Sequence, residues 1–178
     1  FALLSLVQAR GFSFLFSSVL NLLQKKNFLK NLLPVAPKIP SDHLEKMISW
    51  IKKEKQSEIQ KAFIVFLLKS ERDSADKALE EMFFEEKTLE IKILLLKSFI
   101  QRKSLKGLEI SLKDNYVEIR RQAIRSLFEY PANKIEPYLL SMASDSNPDI
   151  RKDVLEKLGE FQTASAIDTL GKSLQDED

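Results

Sequence analysis

Apolar positions recur three and four residues apart along most of this 178-residue chain, the spacing that lines one face of an α-helix. One family of segments carries Ile59, Phe63, Phe66 and Leu67; Ile91, Leu94, Leu95 and Phe99; Ile119, Ala123 and Leu127; and Ile150, Val154 and Leu158. A second family alternates with it: Leu44, Met47, Ile48 and Ile51; Leu79, Met82 and Phe83; Leu105, Leu108 and Leu112; Leu139, Leu140 and Ala143; and Ile167, Leu170 and Leu174. Breakers separate them. Ser70 to Ser74, Lys103-Ser104, Tyr130 to Asn133 and Gln162-Thr163 are polar, capping or proline residues, and Asn147-Pro148 is an N-cap followed by proline at the first helical position. The pattern predicts helices throughout.

These helices repeat as pairs. Asp114 to Arg120 recurs 31 positions later as Asp145 to Arg151, with Leu127 over Leu158, and Asp176 lies another 31 beyond Asp145. Stepping back by 28, Glu86 to Lys92 matches the same block, and back another 32, Glu54 to Gln60 does so, with Glu58-Ile59 over Glu90-Ile91. That makes four full units and the start of a fifth. A lone helix pair cannot bury both its faces, so each leans on its neighbours, and the expected fold is all-α: an α-solenoid of stacked antiparallel helix pairs over residues 41–178.

Upstream the pattern changes. Residues 1–33 form an apolar helical segment, with Phe12, Leu15, Phe16, Val19, Leu20 and Leu23 at helical spacing, expected to cap the repeats. A membrane helix is the alternative, but Arg10 leaves only Gly11 to Gln24 uncharged, shorter than the roughly 20 residues a span needs. Val7-Gln8-Ala9 looks like a secretory cleavage site without the basic leader that should precede it. Residues 34–40 hold three prolines, which no helix crosses, and Ser41 or Asp42 with Glu45 offers a capping box for the next helix. A first residue Phe1 and an end at Asp178, where a turn between helices is due, read as a segment of a longer chain.

Composition then removes most chemistry. With no Cys and one His there is no disulfide framework, thiol nucleophile or Cys/His zinc site. Four glycines leave no phosphate-binding glycine loop. His43 reads as a surface or helix-start residue, and Phe83-Phe84 as core packing. No set of residues suggests catalysis, a metal or a cofactor, so a non-catalytic protein is expected.

The Asp, four-residue gap, Ile-Arg signature at Asp114 to Arg120 and Asp145 to Arg151, with Leu158-Gly159 closing a helix, resembles the short HEAT-like repeats of the phycobilisome-lyase type. The resemblance covers residues 41–178, about three quarters of the chain. Upstream, Glu86 and Lys92, then Glu54 and Gln60, stand in for the Asp and Arg. It implies that Asp114, Arg120, Asp145 and Arg151 form a hydrogen-bonded ladder between repeats. It also implies that second helices line the inner face. Some relatives attach or isomerise bilins, but no residue set for that chemistry is present here.

On that inner face the register gives two outward columns: Lys61, Ile93, Arg121 and Lys152, and Val65, Lys97, Arg125 and Glu156. Lys61, Lys97, Arg121, Arg125 and Lys152 are therefore the candidate partner-binding residues, centred on Arg121 and Arg125. The partner expected is an acidic peptide or helix, so the chain reads as a protein-interaction scaffold. The alternatives are an ordinary solvated face, a nucleic-acid backbone partner, or the soluble arm of a membrane-anchored protein. Groove aromatics for base recognition are missing: Trp50 falls on a first helix and Tyr116 in a turn. A cytoplasmic chain is expected, with membrane association through the N-terminal segment as the alternative.

The net charge of +2 hides a polarity. Residues 1–103 hold 18 basic and 12 acidic groups, while residues 104–178 hold 10 and 14. The last helix, with Ile167, Leu170 and Leu174, has no following repeat to cover it and could pair with another copy.

Overall fold

The computed structural model describes residues 41–53, 57–70 and 73–174. The expected N-terminal segment (1–33), the proline-rich stretch (34–40), the side chains of Ser41, Asp42 and Trp50, Glu54, and the fifth-unit start at Asp176 lie outside the described residues. Among the described residues the chain is all-α, a run of paired helices with no strand. No helix among them is long and apolar enough to cross a membrane.

The chain divides into two compact units, the first ending at Ser98 and the second beginning at Phe99. The first holds α1 (Ser41–Ile51), α2 (Ser57–Leu68) and α3 (Asp73–Glu85), and α4 (Leu89–Gln101) begins in it. In it α3 packs against both α1 and α2. The expected stripes supply the core: Leu44, Met47 and Ile51 from α1, Ile59, Phe63, Phe66 and Leu67 from α2, and Leu79 and Phe83 from α3 are all buried. Phe63 and Phe66 stack with ring centroids 5.5 Å apart, and the Lys92 ammonium sits 4.9 Å from the centre of the Phe83 ring. Each such side chain taken from water contributes about 1.5–3 kcal/mol.

The second unit contains α5 (Leu105–Leu112), α6 (Val117–Leu127), α7 (Ala132–Met142), α8 (Pro148–Leu158) and α9 (Ala164–Ser173). Helix α5 packs on α6 and α7 on α8, each first helix against its second. Between repeats α6 lies beside α8, and α9 rests on both α7 and α8. Ile119, Ala123 and Leu127 from α6 and Ile150, Val154 and Leu158 from α8 are buried at one register in both repeats. Gly107 on α5 permits the closest approach: a Cβ there would stand 2.3 Å from Cγ of the buried Phe99.

Caps fall at the expected breakers. Ser104 Oγ accepts from the Gly107 amide, Asn147 Oδ1 from Ile150 ahead of Pro148, and Thr163 Oγ1 from Ala166. The Thr163 hydroxyl also donates to Glu136, tying the start of α9 to α7. One breaker is shorter than expected, because Ala132 and Asn133 already form the first turn of α7 behind Pro131.

Two side chains, His43 and Phe84, sit differently from their expected places. His43 is buried, because it lies on the inward side of α1, one turn before Met47. Phe84 is 84 % exposed although Phe83 is buried, since adjacent helical residues point about 100° apart. On α9 only Ala166 is buried, while Ile167 and Leu174 are 63 % and 87 % exposed. That stripe is largely in water.

Candidate functional site

The turns come first, because they set the register of the second helices. Asp114 Oδ1 accepts from the Tyr116 amide at 2.9 Å, and Asp145 Oδ1 from Asn147 at 2.8 Å. Glu86 makes the longer-armed equivalent, its Oε1 accepting from Lys87 and Thr88 at 2.8 and 2.6 Å. In each case a carboxylate closes the turn that launches the next helix, which is why an acid recurs at this point.

The arginine one turn into the helix completes the arrangement. Arg120 donates from Nε and Nη2 to the two oxygens of Asp145 at 2.7 and 2.8 Å, and from Nη1 to the carbonyls of Asp114 and Asn115 at 2.9 and 3.3 Å. Its partner in the next repeat, Arg151, donates from Nη1 to the Asp145 carbonyl at 2.9 Å. The implied ladder is thus present between these two repeats. Burial would push the Asp145 carboxyl up, but the Arg120 and Asn147 hydrogen bonds and the charges of Arg120 and Arg151 together hold it below its ordinary value. The bond to Asp145 likewise raises Arg120 against the opposing effect of burial. These groups are spent on one another and serve structure.

The five candidate cations belong to the second helices and fall in both units. In the first, Lys61 lies between Glu58 at 3.2 Å and Glu90 at 2.6 Å. The Glu90 hydrogen bond is the main reason its ammonium is raised above the ordinary lysine value. Lys97 is exposed on α4. In the second unit, Arg121 meets Asp149 across the α6–α8 contact at 2.9 Å, and Arg125 meets Asp153 at 3.7 Å. The Arg125 side chain is 64 % exposed, and Lys152 is exposed on α8. The structure therefore brings Arg121, Arg125 and Lys152 onto neighbouring helices of the second unit.

The two columns read from the sequence omitted the acids that face them. The residue before the first buried isoleucine of each second helix is Glu58, Glu90, Glu118 or Asp149. An acid in a first helical turn is favoured by the helix dipole, and here it also points at a cation of the preceding repeat in Lys61–Glu90 and Arg121–Asp149. The signal was present as the repeated Glu-Ile and Asp-Ile pairs. Within each unit the second helices thus set cations against acids of the next repeat.

Among the described residues no group of three or more His, Asp or Glu side chains could hold a metal ion.

Residues 105–178, from the start of α5 onward, match the family model for HEAT repeats. No curated protein and no solved structure matches the chain. The paired helices, the acid-closed turns and the Arg120 to Asp145 bond between successive pairs agree with that match: residues 105–178 are similar to HEAT repeats.

Proposed function

We propose that this chain is a non-catalytic scaffold whose partner, an acidic peptide or helix, docks on the exposed side of α6 and α8. HEAT repeats commonly mediate protein–protein contacts. The observation that supports this surface is the loose pair Arg125–Asp153 beside the tighter Arg121–Asp149, with Lys152 standing exposed between those acids in sequence. A partner carboxylate can take Arg125 from Asp153 at little cost, because an exposed pair is worth about 0–1 kcal/mol. Lys97 and Lys61 are further candidates in the first unit, with Lys61 the less available because two glutamates hold it.

The interleaved acids favour a protein over a nucleic acid. A polyphosphate backbone gains by neutralising a run of cations, and Asp149 and Asp153 would repel it. Fluorescence titrations of a labelled Glu-rich helical peptide and of a DNA duplex distinguish the two. The peptide should saturate at low salt with the duplex binding far more weakly; tighter duplex binding would overturn the proposal.

A further inference from the structure

A cavity of about 260 Å³ is lined by residues of the second unit, where the turn after α4 meets the end of α6. Ile100 and the buried Leu108 give it an apolar lining, Ser126 and Tyr130 add polar groups, and Lys103 and Glu129 are its two charges. It is smaller than the roughly 300–1,000 Å³ that drug-sized ligands occupy, so it suits a side chain or a small molecule.

The next repeat shows how such a place is filled from within. By the repeat register Ile100 answers to Phe128, Leu108 to Leu139, Ser126 to Lys157, Glu129 to Glu160 and Tyr130 to Phe161. There the Lys157 ammonium stands 5.7 Å from the centre of the Phe128 ring and donates to Glu160. Ser126 has no such arm, and its hydroxyl turns back to the Gln122 carbonyl at 2.8 Å. The acid is kept while the lysine that would hold it is gone. The Glu129 carboxylate has no hydrogen bond or ion pair among the described residues. Its charge adds to burial, the larger cause, in raising the Tyr130 hydroxyl above its ordinary value.

Lys103 is the second unspent charge. It ends α4 in the left-handed conformation, φ 54°, with its own amide bonded to the Ile100 carbonyl and that of Ser104 to Phe99. It edges the same cavity as Glu129, yet the two form no ion pair. An acid and a base that share an apolar-floored cavity without pairing match a ligand with the converse charges at the two ends of an alkyl stem.

We propose that this cavity binds an ω-amino carboxylate, a linear alkylammonium with a carboxylate at its far end. The ammonium goes to Glu129, as that of Lys157 goes to Glu160. The stem lies on Ile100, Leu108 and the Tyr130 ring, and the carboxylate goes to Lys103.

Isotope-labelled protein is titrated with 6-aminohexanoate to about ten millimolar and followed by NMR. Saturable shifts at Ile100, Lys103 and Tyr130 are expected, with Ile167 unmoved. Hexylamine and hexanoate, which keep one charge each, should bind about fivefold more weakly. Glu129→Gln, at an exposed residue, should lose the preference over hexanoate, and Lys103→Met the preference over hexylamine. Ser126→Lys supplies the missing arm from within, so it should abolish binding and raise the melting temperature. A peptide ending in lysine, set against its C-terminal amide, separates two sources of the same chemistry. Tighter binding of the acid form assigns a protein terminus, and binding of 6-aminohexanoate alone assigns a small molecule. The cavity shares no residue with the Arg121 and Arg125 pairs, so either site can fail alone. No saturable shift at these residues, equal affinity for the three small ligands, or undiminished binding to Ser126→Lys would overturn the proposal.

Discussion

The guanidinium of Arg120 grips both carboxylate oxygens of Asp145, at 2.7 and 2.8 Å, across the junction between two repeats. The side chains are 10 % and 5 % exposed, so the pair is effectively inside the protein. Its fork geometry fixes orientation as well as distance. Through it the first turn of α6 sets the position of the turn that launches α8.

Removing one partner should therefore cost far more than losing an exposed pair. Arg120→Ala leaves the buried Asp145 without the partner that holds both its oxygens, and a loss of about 3–5 kcal/mol is expected. Arg125→Ala, at a pair 3.7 Å long with its arginine mostly in water, should cost less than about 1 kcal/mol. Urea denaturation of the two variants checks the contrast.

The same pair predicts a direction with pH. The folded Asp145 carboxyl lies below its ordinary value of 3.8, so its contribution is fully present above that value and is lost as pH falls through the folded value. Asp145→Asn removes that dependence. The stability gap between wild type and Asp145→Asn should be constant near neutral pH and close below about pH 3.8. Thermal melts across that range provide the measurement, and a gap that widened with acid would contradict the assignment.

Two helical glycines should respond oppositely to the same change. Gly107→Ala drives a methyl against Phe99, 2.3 Å from its Cγ, and overpacking of this kind costs about 1–3 kcal/mol. Gly171 on α9 has nothing within 4 Å of where a Cβ would stand, so Gly171→Ala should stabilise by about 0.5–1 kcal/mol through helix propensity alone. Chemical denaturation of both variants decides it.

Neighbouring phenylalanines should differ as sharply. Phe83→Ala empties a buried site and removes the ring beneath Lys92, for a loss of about 3–5 kcal/mol. Phe84→Ser, at a residue 84 % exposed, should leave the melting temperature nearly unchanged. Thermal unfolding of each variant tests this.

The contrast also shows where sequence reasoning reaches and where it stops. Spacing alone located the helices and the buried isoleucine of each second helix, because a period of three and four maps directly onto a helix face. The turn acids and Arg120 were legible because their block recurs within the chain, and the ladder they form was implied by the family resemblance. Phe84 and His43 were not, because which side of a helix is covered depends on the neighbour and not on the helix. Ile167, Leu170 and Leu174 have the same three-and-four spacing as Leu105, Leu108 and Leu112, but Leu108 and Leu112 are buried while Ile167 and Leu174 are exposed. The candidate cations were found as columns, while their acids were missed: each belongs to the next repeat, at 28 or 29 residues' distance, and not to the same helix face.

The proposal that the α6 and α8 cations hold a partner is tested most directly by reversing two of them. Arg121→Glu with Arg125→Glu is titrated against the labelled Glu-rich helical peptide, with a thermal melt of the same sample. Binding should fall about tenfold or more while the melting temperature drops only a few degrees, as expected for the loss of two partly exposed pairs. Unchanged peptide affinity in a folded variant would contradict the account and leave these arginines as struts between repeats.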